Sequence, residues 1–248
     1  MANPQTAGLE LTKRLRALLD AHAPAPGAEF PCPYLAGRSA RHVTLIPSPL
    51  VPGLYHSFMD LNFRRSGETF YRPACQGCSE CRMLRLSVAE FAATRAQRRC
   101  LKRNRDVEVV VQEPKSTEEK RRLFARYLAA RHDGSMDASP DAFEGFLYAS
   151  PLRSLELEYR VGERLLAVGI ADLEPRALSA VYCYFDPDER GRSLGVLNVL
   201  ALLEESRRLA VPHLYLGYWV DGSPTMAYKS GYRPCEVLGA DGRWTRLD

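Results

Sequence analysis

The strongest structural signal in the chain is the stretch Tyr182-Cys183-Tyr184-Phe185-Asp186-Pro187-Asp188-Glu189-Arg190-Gly191-Arg192-Ser193-Leu194-Gly195. An apolar strand enters a turn rich in Asp, Gly and Arg, and a long helix follows at once. Backbone N–H groups at a helix N-terminus lack partners and attract anions. Arg190 and Arg192 would add charge-assisted contacts to a phosphate. The stretch therefore predicts a strand–turn–helix unit with an anion site at its turn; an ordinary capped helix is the alternative.

Hydrophobic periodicity on both sides of this unit predicts the rest of the fold. Strands are predicted at 82–87, 107–112, 154–161, 164–173, 178–185, 213–220 and 242–247, and helices at 9–23, 95–105, 116–132, 140–149, 192–209 and 224–230. Residues 24–81, rich in proline and glycine, are predicted to be loop-rich apart from a short strand at 41–46 and a helix at 55–62. The order predicts an α+β protein, a mixed and largely antiparallel sheet flanked by helices. We divide it into 1–105, a cysteine-containing region with a basic helix, and 106–248.

Composition excludes several classes of protein. The 248 residues are 46% hydrophobic and 26% charged, as in ordinary globular proteins and unlike disordered chains or fibres. No run of 18 apolar residues and no signal peptide is visible, which predicts no membrane partner and a cytoplasmic location. Seven cysteines in such a chain favour free thiols over a disulfide framework. Of 34 basic residues 29 are arginine. A GC-rich genome explains much of that excess, so only the positions of the arginines are informative.

One concentrated run of positive charge covers 95–105. It contains six cations and no carboxylate: Arg95, Arg98, Arg99, Lys102, Arg103 and Arg105. On a helix these side chains occupy neighbouring positions and repel one another. Nucleic-acid phosphates would relieve that repulsion, which favours an RNA or DNA partner over a merely solvated face.

A second candidate site follows the strand at 213–220. The segment from Tyr215 through Trp219 to Tyr228-Lys229 is dense in aromatic residues and holds one of only five lysines. Tyrosine and tryptophan stack on bases and line substrate pockets. A core strand followed by a capped helix is the alternative, and it accounts less well for Tyr228 and Lys229.

Cysteine spacing indicates thiolate chemistry near the N-terminus. Cys75, Cys78 and Cys81 form a Cys-x-x-Cys-x-x-Cys run, and Cys32 is a candidate fourth ligand. Four thiolates suit tetrahedral Zn²⁺ or an iron–sulfur cluster. Reduced cysteines packed in a Gly/Pro-rich loop are the alternative. Arg64, Arg65 and Arg72 stand nearby and could bind a carboxylate bidentately.

Several ordered segments together resemble a known family. They are Cys32-Pro33-Tyr34-Leu35, Phe63-Arg64-Arg65-Ser66-Gly67, Tyr71-Arg72-Pro73 through Cys81, Arg95 through Asn104, Phe185-Asp186-Pro187 into Gly195, and Tyr215-Leu216-Gly217-Tyr218-Trp219 into Lys229. The chain thereby resembles the bacterial aspartate/glutamate leucyltransferases of the N-degron pathway, relatives of the eukaryotic arginyl-tRNA–protein transferases. The segment Arg190–Gly195 also resembles the acyl-carrier loop of the GNAT acyltransferase fold, with an imperfect second glycine position.

The resemblance implies a GNAT-like domain and transfer of leucine from Leu-tRNA to the α-amine of proteins that begin with Asp or Glu, marking them for degradation. No cofactor is required for such aminolysis, although the relatives carry an iron–sulfur cluster on N-terminal cysteines. No Ser-His-Asp or Cys-His signature stands out, so we expect no covalent acyl-enzyme.

Candidate roles follow from this reaction. Catalytic candidates, placed to orient the amine and the carbonyl, are Tyr182 and Tyr184. The acidic N-terminus is assigned to Arg64, Arg65 and Arg72. The tRNA is assigned to Arg98, Arg99, Lys102, Arg103, Arg190, Arg192, Tyr228 and Lys229. The alternatives are arginine as the donor, a GNAT acetyltransferase that uses acetyl-CoA, and a non-enzymatic RNA-binding module.

Overall fold

The computed structural model describes residues 4–131 and 136–248 of the chain. The helices are α1 (Pro4–His22), α2 (Leu54–Met59), α3 (Arg95–Arg103), α4 (Glu118–Arg131), α5 (Pro140–Phe143) and α6 (Leu194–Arg208), with short π or 3-10 turns at Glu144–Tyr148, Pro187–Arg192 and Ala227–Gly231. The strands are β1 (Phe30–Pro31), β2 (Ser39–Ala40), β3 (His42–Leu45), β4 (Arg64–Ser66), β5 (Thr69–Pro73), β6 (Arg82–Ser87), β7 (Glu108–Gln112), β8 (Ser154–Val161), β9 (Arg164–Glu174), β10 (Ala177–Phe185), β11 (His213–Trp219), β12 (Cys235–Leu238) and β13 (Trp244–Leu247).

The main sheet has eight strands in the order β13-β12-β6-β11-β10-β9-β8-β7. Its described strand pairs are antiparallel except for β10 and β11, which run parallel. A smaller sheet, β3-β5-β4, and the pair β1-β2 come from the N-terminal part of the chain. The predicted fold class, a largely antiparallel sheet flanked by helices, is therefore confirmed.

The parallel pair separates soon after it begins. Register holds from Ala177 opposite His213 to Ser179 opposite Tyr215, and both strands then continue without pairing to each other. Each strand carries a bulge at this level, between Ala180 and Tyr182 on β10 and between Tyr215 and Gly217 on β11. A bulge leaves a residue unpaired and bends its strand. The two bulges open a gap in the sheet between β10 and β11.

Helices cover both faces of the main sheet. Leu165 and Leu166 are neighbours on β9 but enter different core clusters, and side chains of adjacent strand residues point to opposite faces. One cluster packs against α3 and α6, and the other packs against α4 and α5. A third cluster joins α2 and the small sheet to β6 and β11. The N-terminal part of the chain is thus held close to the gap.

Most predicted elements are present, with instructive differences. The predicted helix at 116–132 begins later, because the hydroxyl of Thr117, not of Ser116, accepts from the backbone N–H of Lys120. Its last residue, His132, lies outside the described residues. The region predicted to be loop-rich contains β1 to β5, and β12 was not predicted. No helix in the described part of the chain is long and apolar enough to cross a membrane.

Candidate active site

Arg64 lies in the gap between β10 and β11. Its guanidinium Nη2 donates to the carbonyl oxygens of Ala180 and Val181, at 3.2 and 3.1 Å, beside the bulge of β10. On the other side it faces Gly217 of β11, where a Cβ atom would stand 2.7 Å from Cζ of Arg64. Gly217 has a φ of +75°, a conformation that glycine adopts without strain. The gap thus receives a positively charged fork.

Lys229 is the second basic residue of this site and, unlike the half-buried Arg64, is buried. It is 5% exposed, and its Nζ donates to the carbonyl oxygen of Tyr218 at 2.6 Å. Burial lowers the pKa of Lys229 well below its ordinary value, and the charge of Arg64 lowers it further. Within residues 4–131 and 136–248, no carboxylate pairs with either cation. Arg64 therefore creates a positive potential that no acid among the described residues neutralises, and this potential disfavours the charged form of Lys229.

Tyrosines surround these cations. Tyr34, Tyr71 and Tyr218 are close enough to Arg64 to interact with its charge. The guanidinium carbon of Arg64 stands 5.8 Å from the ring centroid of Tyr218, and burial raises the pKa of Tyr34 to about 12. We call Arg64, Lys229, Tyr34, Tyr71 and Tyr218 the basic pocket. A phenol that stays protonated can donate a hydrogen bond to an anion there.

The other two arginines predicted to bind an acidic N-terminus lie elsewhere. Arg65 forms a fully buried bidentate ion pair with Asp172, with distances of 2.7 and 2.9 Å. It is not available to an external carboxylate, so we remove it from the predicted acceptor site. Arg72 is half-buried with its guanidinium over the ring of Phe63, 4.9 Å from the centroid. Neighbouring positions on β4 thus have different roles, because side chains alternate between the two faces of a strand.

A groove of about 400 Å³ lies beside the basic pocket, between α3 and α6. We call it the α3–α6 groove; it is lined by Thr94, Ala96, Gln97, Arg99, Cys100, Arg103, Ser193, Val196, Tyr228, Gly231 and Tyr232. Tyr228 is 54% exposed, so one large aromatic ring stands open at the groove. Tyr228 is also within electrostatic range of Arg64. The groove and the basic pocket therefore adjoin at this tyrosine.

The cations of α3 differ from most arginines of this protein. Elsewhere arginines are commonly paired with acids, as Arg121 is with Glu118 and Arg246 with Glu90. None of the six cations from Arg95 to Arg105 has a carboxylate partner among the residues that the structure describes. Such an exposed, uncompensated row is what a polyanion requires.

Four of the six cations of α3 and its C-terminal end are predicted tRNA contacts, and the structure places them on or beside the α3–α6 groove. Arg99 and Arg103 line it, and Arg98 and Lys102 are exposed on the same helix. Arg103 also donates to the carbonyl oxygen of Gly191, which ties α3 to the turn before α6. Tyr228 joins the lining from the other side.

Two further predicted tRNA contacts lie on the turn itself. Arg190 is exposed and donates to its own turn, at the carbonyl oxygen of Pro187. Arg192 forms a bidentate pair with Asp106 and a third contact with Glu189, each at 2.9 Å. Its charge is therefore compensated internally, which disfavours the predicted phosphate contact. Lys229, also predicted to hold the tRNA, lies in the basic pocket instead.

The predicted catalytic tyrosines pack with α4 and α5. Tyr184 is fully buried, with its hydroxyl 3.3 Å from that of Tyr148, which donates to Glu156. A group so enclosed cannot touch a substrate, so we do not retain Tyr184 as a catalytic residue. Tyr182 is half-buried in the same cluster, with its hydroxyl 3.9 Å from the sulfur of Met136. Its role stays a prediction.

The four candidate cysteine ligands line one cavity. Its lining includes Tyr34 and the four cysteines Cys32, Cys75, Cys78 and Cys81. The fold thus brings the predicted fourth ligand, Cys32, close to the three cysteines of the Cys-x-x-Cys-x-x-Cys run. Burial raises the pKa of the Cys81 thiol to about 12, and the other three cysteines raise it further. The sulfur donors fit Zn²⁺ or an iron–sulfur cluster in type. As placed, however, no three His, Cys, Asp or Glu side chains in the described ranges form a group able to hold a metal ion.

Sequence reasoning missed two residues of this site. Gly217, in Leu216-Gly217-Tyr218, carried a usable signal, because an isolated glycine in a strand indicates a bulge or a close approach. Tyr34 follows Cys32 by two positions, and in the sequence it stands out only as part of the Cys32-Pro33-Tyr34-Leu35 motif. Nothing in the sequence placed it against Arg64.

Comparison with known proteins identifies the family of the chain. Residues 30–99 match the family model "Arginine-tRNA-protein transferase, N terminus", and residues 119–239 match "Arginine-tRNA-protein transferase, C terminus". These matches place the protein among the tRNA-dependent protein transferases. The chain belongs to the arginine-tRNA-protein transferase family, as the sequence resemblance predicted.

Individual relatives are similar over almost their whole length. The chain is 42% identical over 220 residues to an aspartate/glutamate leucyltransferase of Pseudomonas aeruginosa (strain LESB58), covering 88% of this chain and 93% of that protein. It is 44% identical over 219 residues to one of Pseudomonas savastanoi pv. phaseolicola (strain 1448A / Race 6), covering 87% and 93%. A conserved protein of unknown function from Bacteroides thetaiotaomicron VPI-5482 has a similar fold, with a TM-score of 0.51 and 11% identity over 90% of this chain and 71% of that one.

Proposed function

We propose that this protein transfers leucine from Leu-tRNA to the α-amine of proteins that begin with Asp or Glu, marking them for degradation. The observation that carries the proposal is the basic pocket, where a half-buried arginine and a buried lysine have no carboxylate partner among the described residues, next to a groove bordered by arginines that also have none there. The names of the relatives support the same reaction. A cytoplasmic location follows from the proposed donor, since aminoacyl-tRNA is made there.

The acceptor side chain is assigned to the basic pocket. Arg64 has hydrogens on Nε and Nη1 left to donate to a carboxylate, since Nη2 already serves Ala180 and Val181, and charge-assisted hydrogen bonds of this kind are strong where water is excluded. An arriving carboxylate would also favour the charged form of Lys229, whose pKa is lowered in the free protein. An uncharged N-terminal residue offers neither interaction. The pocket therefore selects Asp and Glu.

The 3′ end of the donor is assigned to the α3–α6 groove. Arg99 and Arg103 would contact its phosphates, and the exposed ring of Tyr228 offers a surface on which a base can stack. Arg98 and Lys102 extend the positive charge along the outer face of α3 for the tRNA backbone. Because Tyr228 adjoins Arg64, a base held there would bring the ester towards the gap between β10 and β11.

Leucine is favoured over arginine as the transferred residue. The lining of the groove includes Ala96, Val196 and Cys100 but no carboxylate among the described residues. A leucyl side chain can bury apolar surface against such walls. An arginyl group would have no counter-ion there and would meet Arg99 and Arg103.

Direct aminolysis is the mechanism that this geometry favours. The neutral α-amine attacks the ester carbonyl, and holding both in one site supplies much of the acceleration. Cys183 of β10 lies at the gap, but burial raises the pKa of its thiol to about 12, which keeps it protonated and poorly nucleophilic. We propose a GNAT-like architecture for the transferase part, 106–248, because it places this gap beside the N-terminus of α6, with 1–105 as the cysteine-containing region.

We further propose that the cavity of Cys32, Cys75, Cys78 and Cys81 binds Zn²⁺ or an iron–sulfur cluster, which would fasten the loops that carry Tyr34. Aminolysis itself needs no such group. Metal and sulfide analysis of protein purified without oxygen tests this. We expect Cys78→Ser to lose the metal and Cys183→Ser, outside the cavity, to keep it; equal metal content in both variants would contradict the proposal.

The decisive assay incubates the protein with labelled Leu-tRNA or Arg-tRNA and with peptides that start with Asp, Glu or Ala. We expect transfer from Leu-tRNA to the Asp and Glu peptides. Transfer from Arg-tRNA alone would mean that arginine, not leucine, is the transferred amino acid. Acetyl-CoA turnover without any transfer from tRNA would instead indicate an acetyltransferase.

A further inference from the structure

Two arginines stand over aromatic rings at the mouth of the gap between β10 and β11. The guanidinium carbon of Arg131 lies 5.6 Å from the ring centroid of Phe185, and that of Arg82 lies 4.6 Å from the ring centroid of Trp219. Both distances are within the range of cation–π attraction. Neither arginine belongs to the basic pocket or lines the α3–α6 groove.

Both arginines lie at the same edge of the main sheet. Phe185 is the last residue of β10, and Trp219 is the last residue of β11. Because β10 and β11 run parallel, their carboxyl ends point the same way. Arg82 begins β6 directly opposite Trp219, and Arg131 ends α4. The two guanidiniums therefore flank the opening of the gap, one beside each strand. Ligands of parallel strands commonly bind in the crevice outside such carboxyl ends.

The β10 side of this opening continues into the α3–α6 groove. A Cβ atom on Gly195 would stand 3.7 Å from the ring of Phe185, so that ring lies against the first turn of α6. Ser193, which precedes this turn, lines the groove. Arg131 is thus one aromatic ring away from the end of the groove. A chain that leaves the groove towards the gap would pass between Arg131 and Arg82.

The hydrogen-bond donors of both guanidiniums are free for a ligand. In the two described ranges neither Arg82 nor Arg131 has a carboxylate or a hydrogen-bond partner, and Arg131 is exposed while Arg82 is half-buried. Stacking uses the face of a guanidinium and leaves the N–H groups of its edge available. Arg85 differs, because it stacks on Trp244 at 3.9 Å but donates from Nε to Glu236 at 2.7 Å. A stacked guanidinium with a free edge is preorganised to bind an anion.

We propose that Arg82 and Arg131 bind phosphates of the single-stranded 3′ end of the donor tRNA, one on each side of the gap. This proposal rests on the proposed function and extends the donor site beyond the α3–α6 groove. Guanidinium groups pair bidentately with phosphate oxygens. A nucleic-acid strand carries the repeated charge that two separated cations require, whereas a single acidic side chain is already met by Arg64. Held across the gap, the last nucleotides would direct the ester towards the acceptor.

Binding of uncharged full-length tRNA, compared with tRNA that lacks its 3′-terminal CCA, tests the proposal. We expect Arg82→Gln and Arg131→Gln each to weaken binding of the full-length tRNA by about 10-fold, since each removes a charge-assisted pair. The slope of log K against log salt should fall by about 0.7 in each variant, the value for one phosphate of a single strand. Binding of the shortened tRNA should stay as in the wild type.

Arg122→Gln is the matched control. Arg122 lies on the same helix as Arg131 but is paired with Glu118, so this variant should bind both tRNAs like the wild type. Melting temperatures of all variants show whether the fold is kept, which we expect because none of the three side chains is fully buried.

The possible outcomes are separable. Unchanged binding of full-length tRNA in both variants would mean that the stacked arginines contact no phosphate. An equal loss for the full-length and the shortened tRNA would place the contacts outside the 3′ end and overturn the proposal. A higher KM for Asp peptides with unchanged tRNA binding would assign the two arginines to the acceptor instead. Wild-type protein that transfers no leucine would contradict the proposed function, whereas the difference between the two tRNAs would still test the arginines.

Discussion

The guanidinium of Arg64 occupies the space that a side chain at position 217 would need. A Cβ on Gly217 would approach Cζ and Nε of Arg64 to 2.7 Å. Arg64 comes from the small N-terminal sheet and Gly217 from the centre of the main sheet. The two residues are far apart in the sequence, yet each defines the other's environment. Together they place a cation in the gap of the sheet.

Gly217→Ala should therefore disable the basic pocket. The new Cβ displaces Arg64, and the residue must also hold a left-handed φ, so we expect a loss of about 1–3 kcal/mol of stability and weaker binding of Asp peptides. Urea unfolding and the KM for the peptide measure both effects. Gly53→Ala is the control, because Gly53 has a φ of +86° with no atom near the Cβ site. An Asp-peptide KM that stays at the wild-type value in Gly217→Ala would contradict the relationship.

Arg64→Lys tests the acceptor site directly. Lysine keeps a charge but loses the several planar donors by which Arg64 contacts Ala180, Val181 and an arriving carboxylate, so we expect kcat/KM for Asp peptides to fall by about 10–100-fold, equivalent to about 1.4–2.7 kcal/mol. Arg72→Lys, outside the basic pocket, should change it little. If the ratio of kcat/KM for Asp peptides to kcat/KM for Ala peptides is the same in Arg64→Lys as in the wild type, Arg64 does not select the acidic acceptor.

The ion pair of Arg65 and Asp172 should prove structural. Asp172→Asn leaves a buried guanidinium without its counter-charge, which costs about 3–5 kcal/mol. Chemical denaturation measures the loss, and the exposed pair of Arg41 and Glu29 supplies a control, since Glu29→Gln should change the stability little. We expect the KM for Asp peptides to be kept in the folded fraction of Asp172→Asn; a selective loss of acidic acceptors would return Arg65 to the acceptor site.

The salt dependence of tRNA binding reports on α3. Replacing Arg98, Arg99 and Lys102 with glutamine should reduce the slope of log K against log salt by about 2–3, roughly one per lost phosphate contact. Arg121→Gln and Arg122→Gln on α4, both paired with Glu118, are the controls and should leave the slope as it is. An unchanged slope in the α3 variant would mean that its cations are only solvated.

His213 should make stability depend on pH. Burial first, and then the charges of Arg85, His56 and Arg176, lower its pKa to about 3, whereas the unfolded chain has a histidine pKa of about 6.5. Below pH 6.5 the unfolded state binds a proton that the folded state refuses, so stability falls as the pH drops towards 3. We expect about 2 kcal/mol of loss between pH 7 and pH 5 from this residue.

Urea titrations at both pH values test the assignment. His213→Gln removes the titrating group and should flatten the difference. His22→Gln, an exposed histidine of α1, should not. Equal pH dependence in the wild type and His213→Gln would show that His213 is not responsible.

Patterns along the chain predict most elements of the main sheet, and the family resemblance implies the reaction class. Alternating apolar residues made β8 predictable and a continuous apolar run did so for β9. The cations of 95–105, with no acid between them, marked a polyanion surface. These patterns depend only on neighbours along the chain. The family resemblance likewise rested on motifs readable in order. Cys32 lies in one cavity with Cys75, Cys78 and Cys81, and its role as a fourth ligand stays a prediction.

Tertiary structure decided which charges remain available. Arg64 and Arg65 are adjacent and identical in the sequence, but Arg64 enters a gap where no carboxylate of the described residues pairs with it, whereas Arg65 is paired with Asp172. Arg192 meets Asp106 and Lys229 is buried beside Arg64, contacts set by strand pairing and bulges between residues far apart in the chain. A guanidinium's function depends on whether a carboxylate lies close enough to pair with it. Only the folded chain specifies the distance between the two groups.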